Sequence, residues 1–305
     1  GAADAEMLIA ATYSDEVNMV ACQVGHTLFN VPMKIARVRE QSYLQAGWSN
    51  LFSRDHMPID VVISPEVEVA RAMGYRDQGG RRAVEIFMQH YFLHATRVGE
   101  LTRVFLVALE DRHLYKAPIL KGWLSRRKRV AAGFSVDRGR LNYADERQFL
   151  SDPLNILRLF QEALRTGLLL HSDAMRTVAA NLDLIDDHLR QDPEAVRIFL
   201  DLLLKHGNPE RSLRRMNELG LLGAFIPEFA PVVAMMQFNV YHHYTVDEHL
   251  IQCVAALSEI ERGEQLDDLP TVSRIMKGKI NRRVVYLAVL LHDIGKGRRE
   301  DHSIL

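Results

Sequence analysis

Cysteine is scarce in this 305-residue sequence: Cys22 and Cys253 stand far apart and form no CxxC pair. That scarcity argues for a reducing compartment and against a thiolate metal site. Glycine, at 18, and proline, at 10, are too few for a low-complexity chain. An excess of one charge is also lacking. The 38 Lys and Arg face 39 Asp and Glu, a net charge of -1, so no global field steers the protein toward nucleic acid. No apolar run approaches the roughly 18 residues that cross a bilayer, and no basic segment leads into an apolar one as in a secretory signal. The expectation is a cytoplasmic protein with neither membrane insertion nor a nucleic-acid partner. An initiating Met is missing too. The chain opens mid-pattern at Gly1 and stops abruptly at Leu305, which reads as a piece cut at both ends.

What is present is ordinary for a globular protein, with 48% hydrophobic and 25% charged residues. The length suggests about two domains of roughly 150 residues each. Short apolar runs at Met7–Thr12, Lys34–Val38 and Asp60–Ser64 read as strands. Between the first two, Val17, Val20, Ala21, Val24 and Leu28 recur at helical spacing, and a helical stretch over 42–52 follows the second. Strands alternating with helices predict βαβ units on a parallel sheet. Beyond about residue 70 strand signals almost vanish. A long helical pattern covers 83–111, with a break expected near Gly99. Helices are predicted over 153–166, 173–190, 193–206 and 209–219, another from Thr245, and a last apolar one over 283–294. Met216, Leu219, Leu222 and Phe225 read as a core stripe. Lys121–Arg140 holds seven Lys/Arg and one acid, interleaved with Trp123 and Phe134, and reads as a solvated basic loop or small hairpin.

The strongest chemical constellation is His249 with the adjacent pair His292-Asp293. Imidazole and carboxylate together suit a divalent ion such as Mn, Fe, Mg or Zn. Polar residues closing an apolar stretch, LAVLLHDIGKG, carry a desolvation cost, and Gly295-Lys296-Gly297 adds a bend and a cation. The same pair also fits a simple helix C-terminus, and the residues alone leave both readings open.

TVDEH, LLHDIGKG and DHS resemble an HD-type metal-dependent phosphohydrolase domain. The longer runs GRLNYADERQFLSDPLNILRLFQEAL, RMNELGLLGAFIPEF and FNVYHHYTVDEH resemble the bacterial bifunctional PII uridylyltransferase/uridylyl-removing family (GlnD-like), over about residues 73–305. The resemblance implies metal ligation by His249, His292 and Asp293, with Mn or Mg as the ion, and a catalytic role for His292 and Asp293. It further implies His302 as an additional ligand and Lys296 beside the substrate phosphate. The partner it implies is the uridylylated PII signalling protein. His242 and His243 read as packing or partly exposed residues. The family's closing metal-ligand Asp has no counterpart before Leu305, so an incomplete site is expected. Its transferase centre, a Gly-Ser turn with paired Asp residues, and its C-terminal ligand-sensing domains are not found.

ADAEMLIAATYSDEVNMVACQVGHTLFN, KIARVR and LFSRDHMPIDVVISPE resemble a different family, the TrkA-like NAD-binding regulators of Trk potassium uptake. That resemblance implies half of a Rossmann-type domain and NAD contacts at Thr12, Asp15 and Asn18, at the carboxyl edge of the sheet. It also implies contact with a potassium transporter through residues 1–70. The alternative reading is that Ser14 and Asp15 only cap the helix. The glycine-rich phosphate loop is missing, so NAD is expected only for a complete domain. The sequence therefore reads as mainly α with an N-terminal α/β half-Rossmann segment. The expected divisions are 1–70, a helical uridylyltransferase-associated domain over 73–230, and an HD-type domain over 231–305. Two families meeting near 71–75 without a flexible linker fit either a natural fusion or a chimeric reading frame.

Overall fold

In this computed structural model, residues 2–44, 50–53, 55–113, 129–205, 207–236, 244–278 and 280–297 are described. The chain divides into two units, one running to Tyr91 and one comprising Phe92–Met235 with the chain from Val246. In the first, Met7–Ala10 (β1), Asp15–Phe29 (α1), Met33–Arg37 (β2) and Val61–Ile63 (β3) build a βαβ layer. The strands are parallel, in the order β1-β2-β3. Helix α1 starts where Ser14 accepts a hydrogen bond from the Val17 amide, and it stops at left-handed Asn30.

The apolar series on α1 is not its buried face. Val17, Val20, Val24 and Leu28 are exposed, whereas Asn18, Met19, Cys22 and Gly25 are buried. Two local features set this orientation. Asn18 Nδ2 donates to the carbonyls of Thr12 and Arg37, which binds its side of the helix to the sheet. A Cβ at Gly25 would lie 2.7 Å from the Leu8 side chain, so glycine permits the close helix–strand approach. The helical stretch expected over 42–52 begins as a 3-10 turn, Gln41–Leu44, and 45–49 lie outside the described residues. Pro65–Ala72 (α2) opens with proline in its first turn, where the missing N–H costs nothing. Ala83–His113 (α3) passes unbroken through Gly99. One glycine costs about 1 kcal/mol relative to alanine, which does not end a helix of 31 residues.

In the second unit, strands reappear where almost none were expected. Phe134–Asp137 (β4) and Arg140–Tyr143 (β5) pair as a hairpin. Its turn residues Arg138 and Gly139 both have positive φ, 48° and 78°, the backbone of a two-residue primed turn. After Glu146–Leu150 (α4) and Leu154–Thr166 (α5), Leu169–Leu170 (β6) adds parallel to β5. The small hairpin offered as one reading of the basic stretch is thus present at its end, whereas the two-residue strand β6 carries no readable alternation. Lys121–Lys128, with Trp123, lie outside the described residues.

Helices follow at Ser172–Ala180 (α6), Asp187–Gln191 (α7), Pro193–Leu204 (α8), Pro209–Glu218 (α9) and Leu221–Phe225 (α10). Val246–Arg262 (α11), Pro270–Met276 (α12) and Arg282–Leu291 (α13) complete the set. The single helix expected over 173–190 is split by a 3-10 turn, Leu182–Leu184, and restarts where Asp186 accepts from the Leu189 amide. One apolar core holds the unit, with Ile156, Phe160, Ile198, Leu213, Leu250, Val254 and Leu290 all buried. The stripe Met216, Leu219, Leu222 and Phe225 lies within it, as read from the sequence. The fold is mainly α with an N-terminal parallel α/β segment. Among the described residues no helix is long and apolar enough to cross a membrane.

Candidate metal centre

Helix α11 carries the first candidate ligand, and its first turn is clamped to α9. Asp247 Oδ2 accepts from Asn217 Nδ2 at 2.7 Å, and Glu248 pairs with Arg214 at 2.8 Å. These two acids sit in the first turn, where the helix dipole favours them, and also fasten two helices together. Leu250, Ile251, Val254 and Leu257 turn into the core, which leaves His249 and Cys253, one turn apart, half-buried at the helix margin. Helix α13 starts at Asn281, whose side chain accepts from the Val284 amide, and buries Tyr286 and Leu290. His292 closes it, and a 3-10 turn, Ile294–Gly297, follows. A Cβ at Gly297 would lie 2.7 Å from Pro231, so glycine lets this turn seat against the 3-10 turn Pro227–Val232.

These two elements bring together residues some 40 positions apart. The His249 and His292 rings meet edge-on, 5.5 Å between centroids. Asp293 Oδ2 lies 3.9 Å from His249 Nε2 and 3.6 Å from His292 Nε2. Lys296 Nζ lies 2.7 Å from the same oxygen. His292 Nδ1 is 2.9 Å from the Val289 carbonyl. A carbonyl can only accept, so Nδ1 donates there and Nε2 is the nitrogen turned toward Asp293, the arrangement that orients a metal-binding imidazole.

The electrostatics agree with cation binding. Burial lowers the His249 pKa, helped by neighbouring His292 and Lys296 and opposed by Asp293, so this ring is held neutral. Burial pushes the Asp293 carboxyl up, but the hydrogen bond and charge of Lys296, with both histidines, outweigh it and hold it below its ordinary value. Burial, together with the Asp293 charge, pushes the Cys253 thiol up. The donor set therefore offers two imidazole rings and a carboxylate held below its ordinary pKa, which fits a divalent ion.

Sequence reasoning found His249, His292, Asp293 and Lys296 but missed Cys253. Its Sγ lies 3.6 Å from His249 Nε2, and it forms a convergent group with His249 and His292. The available signal was the His-x3-Cys spacing on one helix face. Counting cysteines against each other had pointed away from a thiolate. His302, His242 and His243 lie outside the described residues.

The residues assigned to NAD have internal partners. Asn18 is fully buried, and its Oδ1 accepts from both the amide and the hydroxyl of Thr12, 2.7 Å each. Asp15 is buried, and its Oδ2 accepts from the amides of Arg39 and Glu40, 2.7 Å each. These bonds tie the β1–α1 turn to the chain after β2. With those donors and acceptors engaged and no glycine-rich loop to cradle a pyrophosphate, negligible NADH affinity is expected. A fluorescence titration showing micromolar binding would overturn that expectation.

Residues 134–225 match the family described as uridylyltransferase GlnD third domain, and residues 52–106 that described as GlnD PII-uridylyltransferase. Residues 1–65 match the TrkA-N domain. The chain is 65% identical over 240 residues to a bifunctional uridylyltransferase/uridylyl-removing enzyme of Ruegeria pomeroyi, covering 79% of this chain and 26% of the relative. It is 63% identical over 268 residues to that of Cereibacter sphaeroides, covering 88% and 29%. Against the enzyme of Azospirillum brasilense it is 47% identical over 254 residues, covering 82% and 27%. The chain thus spans little more than a quarter of the length of these relatives. No solved structure matches.

Proposed function

Since the chain is GlnD-like over most of its length, we propose that His249, His292 and Asp293 form the uridylyl-removing centre of a nitrogen-regulatory enzyme. The reaction is metal-dependent hydrolysis of the phosphodiester that joins UMP to the PII protein. The observation that carries the reading is the convergence of His249 from α11 with His292 and Asp293 from the end of α13. A divalent ion there, manganese or magnesium, would polarise the phosphoryl oxygen and lower the pKa of a bound water. His249 and His292 would supply ring nitrogens to it, and Asp293 a carboxylate oxygen. Lys296 holds Asp293 in place and offsets charge near the substrate phosphate. On this reading residues 73–230 are the helical transferase-associated part, 231–305 the HD-type part, and 1–70 a Rossmann-like segment. The alternative of an NAD-binding regulator of potassium uptake has no support from Thr12, Asp15 and Asn18, which serve the chain's own backbone.

The test is release of UMP from uridylylated PII with Mn2+ present. Asp293→Ala is expected to lower the rate at least about tenfold, the scale of losing a ligand or its support. Calorimetry should show loss of the Mn2+ site in the same variant. Equal rates and equal binding in wild type and variant would overturn the assignment.

A further inference from the structure

The half-buried thiol beside the two imidazoles has no part in the reaction just described. Cys253 follows His249 by one turn of α11, so both side chains leave the same helix face toward His292. The ligand atoms of His249, Cys253 and His292 all lie within 4.8 Å of one another. A tetrahedral zinc with a Zn–S bond of about 2.3 Å and Zn–N bonds of about 2.0–2.1 Å places sulfur and nitrogen about 3.5 Å apart. Cys253 Sγ and His249 Nε2 are 3.6 Å apart. The Asp293 oxygen is farther from that nitrogen, at 3.9 Å, and is held by Lys296 at 2.7 Å. Seen from His249 the sulfur is the nearer donor, and the carboxylate, braced by its lysine, lies nearer His292, 3.6 Å from its Nε2.

From this geometry we propose that Cys253 is a metal ligand, and that the centre is built to take zinc, or another thiophilic ion, through His249, Cys253 and His292. Asp293, the carboxylate donor of the reading above, stays beside these three, so the sulfur joins the donor set rather than replacing the carboxylate. On binding, the thiol gives its proton to solvent and sulfur coordinates as thiolate, with no change of oxidation state. Hard ions such as magnesium gain little from sulfur, whereas zinc and cobalt gain substantially. The cysteine thus sets which ion the site prefers. The proposal rests on the metal-centre reading above, and its test separates the two.

The test uses the whole chain. Cobalt(II) is titrated into wild type and Cys253→Ser and followed in the near ultraviolet, where thiolate-to-cobalt charge transfer absorbs. Zinc affinity is measured by competition with a chelator, and manganese affinity by calorimetry. Wild type is expected to show the charge-transfer band, and Cys253→Ser to lose it. Zinc affinity should fall roughly tenfold or more in the variant while manganese affinity changes much less, because only the softer ion draws on sulfur. A second measurement needs no variant. Zinc should protect one thiol of the native protein from a thiol reagent, with Cys22, fully buried, as the internal reference. Cobalt bound without the band, with zinc affinity the same in Cys253→Ser, would overturn the cysteine's role and leave the centre standing. Wild type that binds none of these ions would overturn the centre itself.

Discussion

Truncation of Phe229 to alanine is expected to destabilise the helical unit by about 3–5 kcal/mol, the usual range for removing a buried aromatic ring. Phe229 is fully buried in the single large core. It sits on the 3-10 turn Pro227–Val232, whose backbone is held through the Phe229 amide to the Ile226 carbonyl at 2.9 Å. The consequence reaches the candidate metal centre. Pro231 and Val232, on the same turn, are the groups that a Cβ at Gly297 would strike at 2.7 and 3.1 Å, so this turn is the seat of the segment that carries Lys296. A cavity under it loosens both stability and ligand geometry. Urea denaturation followed by circular dichroism reads the first, and manganese calorimetry the second. A loss below about 1 kcal/mol would mean that the site collapses to fill the space and that the ring is not the support described.

The second large effect concerns Glu261, which joins the end of α11 to α13. Its carboxylate receives the Arg282 guanidinium, through Nη2 at 2.7 Å and through Nε, and the Tyr286 hydroxyl at 2.8 Å. Burial pushes the Glu261 carboxyl up, but the hydrogen bonds from Arg282 and Tyr286, with the guanidinium charge, prevail and hold it below the ordinary carboxylate range. A depressed folded-state pKa adds stability above the unfolded pKa. That stability is lost as pH falls through the folded value. Tyr286 has the opposite sign. Burial and the Glu261 carboxylate push its pKa up to about 12, so its contribution is complete below the ordinary tyrosine range and lost as pH rises through that value. Glu261→Ala is expected to cost about 2–3 kcal/mol near neutral pH, because it deletes charge-assisted bonds and strips the buried tyrosine hydroxyl of an acceptor. Glu261→Gln should flatten the acid limb of the stability profile. Urea melts from neutral to acidic pH test this, and parallel acid limbs in wild type and Glu261→Gln would remove Glu261 from the account.

Much of this architecture was legible without coordinates. Pro193 and Pro209 open α8 and α9 where proline belongs in a first turn. Ser14 marks the start of α1 through a bond to an amide three residues on. The pair His292-Asp293 stood out because polar groups at the end of an apolar helix need a reason to be there. Each of these signals is local: a cap, a proline or a periodic stripe acts within one or two turns and is written in contiguous residues.

What the sequence determined by itself was therefore most of the longer helices, the parallel N-terminal segment, and four of the residues that meet at the candidate metal centre. Tertiary structure alone decided which side of α1 faces the sheet, because the contacts of Gly25 with β1 and of Asn18 with the end of β2 outweigh the apolar stripe. It alone joined Leu169–Leu170 to the hairpin, a pairing whose few residues carry no readable period. And it alone placed Cys253 beside His292. That placement depends on how α11 packs against α13, and packing between elements distant in sequence is settled by burial of a shared core rather than by any local pattern.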